Sequence, residues 1–257
     1  MKRAISLLVV LCFVSACAWA DDKDKKDDTK KDAGDAKALE ILKQVDENCK
    51  KVRAVKYDVT FEQRRPEQEP DFKLKGSVMA AGEFVDFTPE KFLIDVEVIA
   101  AGSTEPRRVT GGSDGATFFL VDHRDKKAYE DIDPAVMGSS GPLLRAAAMI
   151  EFLHRTPFSD EINGKSRELK GSKVVKGVGC YEVYVVYAAE SAPPATWHFS
   201  KNDFLPRRRI DYFTGPDGQK FTRTKVISNL VVDPKLDEMA FKLKLPDGYT
   251  KTDDFAP

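Results

Sequence analysis

The chain has 257 residues, with 41 Lys and Arg against 42 Asp and Glu, for a formal net charge of -1. So balanced a charge excludes nucleic acid as the expected partner, because a phosphate backbone is bound through a basic surplus. A hydrophobic fraction of 42% is ample for a core, and no apolar run beyond the leader approaches the roughly 20 residues needed to span a bilayer.

Lys2 and Arg3 precede the apolar run Ala4 to Phe13, and Ala18-Trp19-Ala20 follows the small-x-small rule for secretory cleavage. Residues 1–20 therefore read as a signal peptide, with Asp21 first in the mature chain. Val14-Ser15-Ala16-Cys17 in the same stretch also reads as a lipobox, with cleavage before a lipidated Cys17. Cleavage after Ala20 leaves a soluble exported protein. Cleavage before Cys17 leaves an anchored lipoprotein that touches the membrane only through its lipid. The Ala20 site is the cleaner match. Residues 21–36 carry no large apolar side chain, so they read as a disordered charged tether. Residues 37–257 show no internal repeat and no second linker, which predicts one domain.

Lys37 to Ala54 has helical periodicity, with Leu39, Leu42, Val45, Cys49 and Val52 at steps of three and four. The pattern then changes to period two. Val55, Tyr57, Val59 and Phe61 alternate with Lys56, Asp58, Thr60 and Glu62, which predicts a strand with one wet face. Strands follow at Asp71 to Met79, Phe92 to Val98, Arg107 to Thr110, Ala116 to Asp122 and Lys126 to Ile132, with Gly82, Pro89 and Gly111-Gly112 read as turn residues. Ser140 to Arg155 reads as a second helix, apolar over much of its circumference and therefore a buried element or a flap. Strands resume at Glu168 to Lys176, Cys180 to Tyr187, Thr196 to Lys201, Arg207 to Phe213 and Phe221 to Val231. The spacing of these strands is that of an antiparallel meander. The fold class is α+β: a long antiparallel sheet, curved or closed into a barrel, with a few helices against one face.

Of four cysteines, Cys12 and Cys17 lie in the leader region and Cys49 and Cys180 in the folded part. An exported compartment permits a Cys49–Cys180 disulfide; the alternative is two buried free thiols.

The chain shows no catalytic constellation. His123, His154 and His198 have no second His or Cys at metal-ligand spacing, no phosphate loop follows a strand, and no nucleophile elbow is present. No metal or cofactor is expected, and a non-enzymatic protein is. His123 reads as a surface loop residue. His198 reads as a surface or hydrogen-bonded sheet residue facing away from Trp197 and Phe199. Arg207-Arg208-Arg209 reads as a solvated strand edge whose alternate members point to opposite faces.

The abundant material is apolar. Tyr57, Val59, Phe61, Phe92, Ile94, Val96, Val183, Val185, Trp197 and Phe199 are available to one strand face, and Leu143, Ile150 and Leu153 to the second helix. They form an ordinary core if sheet and helices close on each other. They line an apolar ligand cavity if the two layers leave a gap.

The order of segments in the second half also carries a resemblance. Val178-Gly179-Cys180-Tyr181-Glu182-Val183 opens a strand. Trp197 to Arg208, with Leu205-Pro206-Arg207 at its hairpin, follows, and the chain closes through Asp237, Phe241, Pro246 and Gly248. This resembles the LolA-like bacterial periplasmic proteins of LolA, LolB and RseB type. The resemblance implies an incomplete, half-open antiparallel β-barrel with helices lidding an apolar interior, and a periplasmic or outer-membrane-anchored location. It further implies an acyl chain, lipid or lipoprotein as ligand, in lipoprotein or lipid trafficking. An RseB-type envelope-sensing module that holds a membrane-bound partner protein is the alternative.

Overall fold

The computed structural model describes residues 28–85, 88–100, 102–103 and 105–252. The cleavage sites and Cys17 lie outside the described residues. Among the described residues, no helix is long and apolar enough to cross a membrane.

The described chain begins with helix α1 (Asp28–Cys49). It starts nine residues before Lys37, so residues 28–36 are helical where a disordered tether was expected. Within this stretch Asp35 reaches a tertiary partner. Asp35 accepts from the Arg167 backbone N–H and from its Nε, both at 3.0 Å. Ala38, Ile41, Leu42, Val45 and Cys49 form the buried stripe of α1, at the steps of three and four that put residues on one helix face.

Six strands then run as a meander: β1 (Ala54–Arg64), β2 (Phe72–Val85), β3 (Thr88–Ala100), β4 (Arg107–Ser113), β5 (Phe118–Asp122) and β6 (Lys127–Asp131). A helical segment of four short pieces follows. These are 3₁₀ turns at Pro134–Ser140 and Ile150–Phe152, helix α2 (Gly141–Ala147) and helix α3 (Ser159–Ile162). A second meander comprises β7 (Ser166–Val175), β8 (Val178–Val186), β9 (Ala195–Ser200), β10 (Pro206–Thr214) and β11 (Lys220–Val232), and β12 (Thr250–Lys251) ends the described chain. The two meanders join where β1 pairs β11, giving one sheet in the order β12-β6-β5-β4-β3-β2-β1-β11-β10-β9-β8-β7. All pairings are antiparallel except β12 with β6. The sheet does not close on itself, so the expected open antiparallel arrangement with helices is what the chain adopts.

The expected second helix over Ser140 to Arg155 is broken. Helix α2 stops at Ala147, and Ala148 has extended backbone. The sheet supplies the reason. Tyr57 Oη accepts the Met149 N–H at 2.7 Å, and Lys225 Nζ donates to the Ala148 carbonyl. Side chains from two strands thus take backbone groups that a continuing helix would have paired internally.

Gly111 and Gly112, read as turn residues, lie inside β4. They are there for space. A Cβ on Gly111 would stand 2.3 Å from Leu144 Cδ1 of α2, and one on Gly112 would stand 2.4 Å from the Phe119 ring. Gly82 and Pro89 likewise fall within β2 and β3.

One large core fills the inner face of the sheet. It joins α1 and the helical segment to inward residues of β1, β2, β3, β8, β9 and β11. A small second cluster of Phe119, Val121 and Ala128 is packed by Leu243 and Tyr249 of the C-terminal segment. The edge strand β7 carries Lys170 and Lys173 and a bulge between Leu169 and Gly171, features that discourage edge-to-edge pairing.

Candidate functional site: an apolar inner face under a helical segment

The cross-strand register explains why so many of the singled-out residues meet. Val59 opposes Ile227, Val78 opposes Ile94, Tyr181 opposes Phe199 and Val183 opposes Trp197. Alternation then turns these rows to one face. Tyr57, Val59, Phe92, Ile94, Val96, Leu153, Val183, Val185, Trp197 and Phe199 all lie in the one core cluster, between 0% and 8% exposed. Trp197 and Phe199 stack with centroids 5.7 Å apart, and Phe158 of the helical segment meets both edge-on at 5.1 and 5.3 Å.

Three of the thirteen sit differently. Phe61 and Leu143 are partly buried at the margin of the core. Ile150 is 42% exposed, so it does not line the interior; the break after α2 turns it outward. These three reach the surface hollows. Phe61 lines a groove of about 570 Å³ with Leu74, Ile99 and Val226. Leu143 lines one of about 580 Å³ with Phe72 and Val98. Ile150 lines a smaller hollow of about 240 Å³.

Both cysteines are free and buried, so the Cys49–Cys180 disulfide is not formed. Cys49 belongs to the large core, whereas Cys180 opposes Ser200 and alternates away from Tyr181 and Val183. Burial pushes both thiols above their ordinary pKa.

The segment 134–162 covers this face like a lid, with Leu144, Met149, Phe152, Leu153 and Phe158 buried in the large core, and polar contacts add to that packing. Arg209 of β10 donates from Nη1 to Glu151 Oε1 at 3.1 Å and from Nε to Asp211 Oδ1 at 2.7 Å, with its guanidinium 4.8 Å over the Trp197 ring. Tyr187 donates to Glu161 Oε1 at 2.7 Å and receives the Trp197 Nε1–H at 3.2 Å. The Phe158 N–H donates to Asp46 of α1 at 3.2 Å. Glu151, Glu161, Tyr187, Arg209 and His154 line the 240 Å³ hollow.

These groups are electrostatically perturbed. Burial pushes the Glu161 carboxyl up to about 7, against the Tyr187 hydrogen bond and with help from nearby Glu151. Burial pulls the Lys225 ammonium down to about 8, with Glu151 opposing the fall. Burial also raises the Tyr187 phenol.

Sequence reasoning missed this cluster. It placed Arg209 on a solvated edge; alternation does separate Arg208 from Arg209, but Arg209 points inward under the lid. Its partner Glu151 is 58 residues away, and no spacing rule links them. His123 lies in the turn between β5 and β6, as expected, but it is only partly exposed: its Nε2 contacts Thr110 Oγ1 at 2.8 Å and its Nδ1 contacts Tyr249 Oη at 2.9 Å. His198 is fully buried, and neither ring nitrogen has a hydrogen-bond partner; the nearest carboxylate oxygen, on Glu182, is 3.9 Å away. Among the described residues, no group of three or more His, Cys, Asp or Glu could hold a metal ion.

No protein-family model and no curated protein matches the chain. Solved structures similar to it include MucB, at 12% identity and a TM-score of 0.45 over 82% of this chain and 64% of that one. LprF from Mycobacterium bovis is similar at 10% identity and a TM-score of 0.48, over 84% and 98% of the two chains. A LolA superfamily protein from Nitrosomonas europaea is similar at 12% identity and a TM-score of 0.34, over 80% and 97%. The chain spans about three-fifths of the length of the MucB chains it matches.

Proposed function

We propose that this is an exported, non-enzymatic protein that binds an acyl chain, of a lipid or a lipoprotein, against the inner face of its open sheet. One observation supports the reading: the apolar inner face is covered by a segment in four short pieces, which packs on it through Leu144, Phe152, Leu153 and Phe158 and adds discrete polar contacts to the sheet, with no long helix or second sheet over it. Such a lid can lift without dismantling the sheet. The filled core is then the closed state, in which Phe158, Phe152 and Leu153 occupy the space an acyl chain takes when the lid is open. The driving force is apolar burial, about 0.8 kcal/mol per methylene removed from water. Native mass spectrometry of protein purified without detergent is the test. A bound mass of one acyl lipid supports the reading, and a ligand-free protein that takes up no added fatty acid overturns it.

A second reading, an envelope-sensing module that holds a membrane-bound partner, is favoured by the closeness of the core packing. Ten of the thirteen candidate lining residues are at most 8% exposed with the lid down. Co-purification of a membrane protein in place of lipid would select it.

A further inference from the structure

The groove of about 580 Å³ beside Leu143 differs in kind from the rest of the inner face, because it combines an apolar floor with a set of guanidinium groups. Val98 of its floor belongs to the large core, and Phe72 and Leu143 pack against that core, so the floor of the groove is the margin of the core beside α2 and the β2–β3 pair. Around this floor stand Arg107, Arg108 and Arg124, with Glu105 as the one carboxylate of the lining.

The three arginines are not equivalent. Arg108 is held bidentately by Asp95, through Nε at 3.0 Å and Nη2 at 2.6 Å. Its charge is neutralised and its fork is filled. Arg107 gives only Nη2 to Asp122, at 2.7 Å, and keeps its remaining donors. Arg124 is exposed, and its guanidinium makes no ion pair among the described residues. Burial, then the nearby Arg108 charge, lowers the His123 pKa, which favours its neutral form here. The uncommitted donors at this mouth thus belong to Arg107 and Arg124.

We propose that this groove is the entry site for an anionic amphiphile, whose carboxylate or phosphate head is held by Arg124 and Arg107 while its first methylenes lie on Phe72, Val98 and Leu143. The proposal rests on the acyl-binding reading and adds the charge of the head and the place where the chain enters. It gives the lid a reason to begin opening at α2, since Leu143 is the lid residue that the chain would meet first.

Isothermal titration of the full chain, below micelle concentrations, tests this with four probes: dodecanoate, dodecyl phosphate, an uncharged dodecyl tetraethylene glycol ether and inorganic phosphate. Both anionic amphiphiles should bind about tenfold more tightly than the ether, in a salt-sensitive way. Arg124→Gln, at an exposed position without a side-chain partner, should weaken the two anionic probes about fivefold and leave the ether unchanged. Leu143→Gln should weaken all three amphiphiles. Equal affinity for ether and anions, unmoved by Arg124→Gln, would overturn the head site and leave the acyl-binding reading standing. Inorganic phosphate binding as tightly as dodecyl phosphate would reduce the groove to an anion site and overturn the amphiphile. No binding of any amphiphile would overturn both.

Discussion

Arg209 on β10 and Glu151 in the lid are joined at 3.1 Å across the seam between sheet and lid. The Glu151 side chain is 9% exposed and that of Arg209 27%. Removing Glu151 takes one of the two carboxylates from Arg209, which keeps Asp211 at 2.7 Å, and takes a neighbouring negative charge from Lys225. Glu151→Ala should therefore cost about 1.5–3 kcal/mol of stability, read as a lower urea midpoint at unchanged slope.

Tyr57 and Met149 are the second fastening. Tyr57→Phe removes the acceptor of the Met149 N–H and leaves that buried amide unpaired, at a cost of about 1–3 kcal/mol. Hydrogen exchange should quicken in residues 149–153 while the amides of β1 keep their protection. Equal quickening in both would mean that the lid and the sheet open together.

Phe158 is fully buried, edge-on against the stacked Trp197 and Phe199. Phe158→Ala should destabilise by about 3–5 kcal/mol. It should also leave an apolar cavity under the lid, so the variant should take up an apolar fluorescent probe that the parent protein excludes when its lid is down.

Glu161 gives the lid a pH dependence with a definite sign. Its folded pKa of about 7 lies above the ordinary 4.5, so the folded state holds the proton more tightly. The contribution is complete below pH 4.5 and is lost as pH rises through about 7. The loss is of the order of 3 kcal/mol. Urea titrations of Glu161→Gln should show that this part of the slope has gone.

His198 acts in the opposite direction. Burial, then the charge of Arg208, holds its pKa down at about 4 against the ordinary 6.5. Stability from this group is complete above pH 6.5 and is lost as pH falls through about 4. His198→Leu should blunt acid unfolding in that window, and it removes two buried nitrogens that lack partners.

Period-two alternation placed β1, β3, β8 and β9 well and set Trp197 and Phe199 on one face, because strand geometry depends on neighbours along the chain. The lid was misread for the complementary reason. Ser140 to Arg155 has the composition of one helix, yet Tyr57 and Lys225 claim its backbone groups from strands far away in sequence. The glycines of β4 looked like a turn because the sequence does not display Leu144 and Phe119 pressing on them. The disulfide failed on alternation: Cys180 lies one residue out of phase with Tyr181 and Val183, so it faces away from the core that holds Cys49. Arg209, Glu151 and Glu161 are unremarkable charges until the sheet and lid bring them together.

The central claim, that an acyl chain enters beneath the lid, is tested most directly at Trp197. The chain has two tryptophans, Trp19 and Trp197; cleavage after Ala20 removes the first and leaves Trp197, buried on the inner face, as the sole reporter. Titration with a bromine-labelled fatty acid, whose bromine quenches indole on contact, should quench that fluorescence saturably at one equivalent. Unlabelled fatty acid should reverse the quenching. Trp197 emission that stays unchanged at saturating bromo-fatty acid would contradict the account.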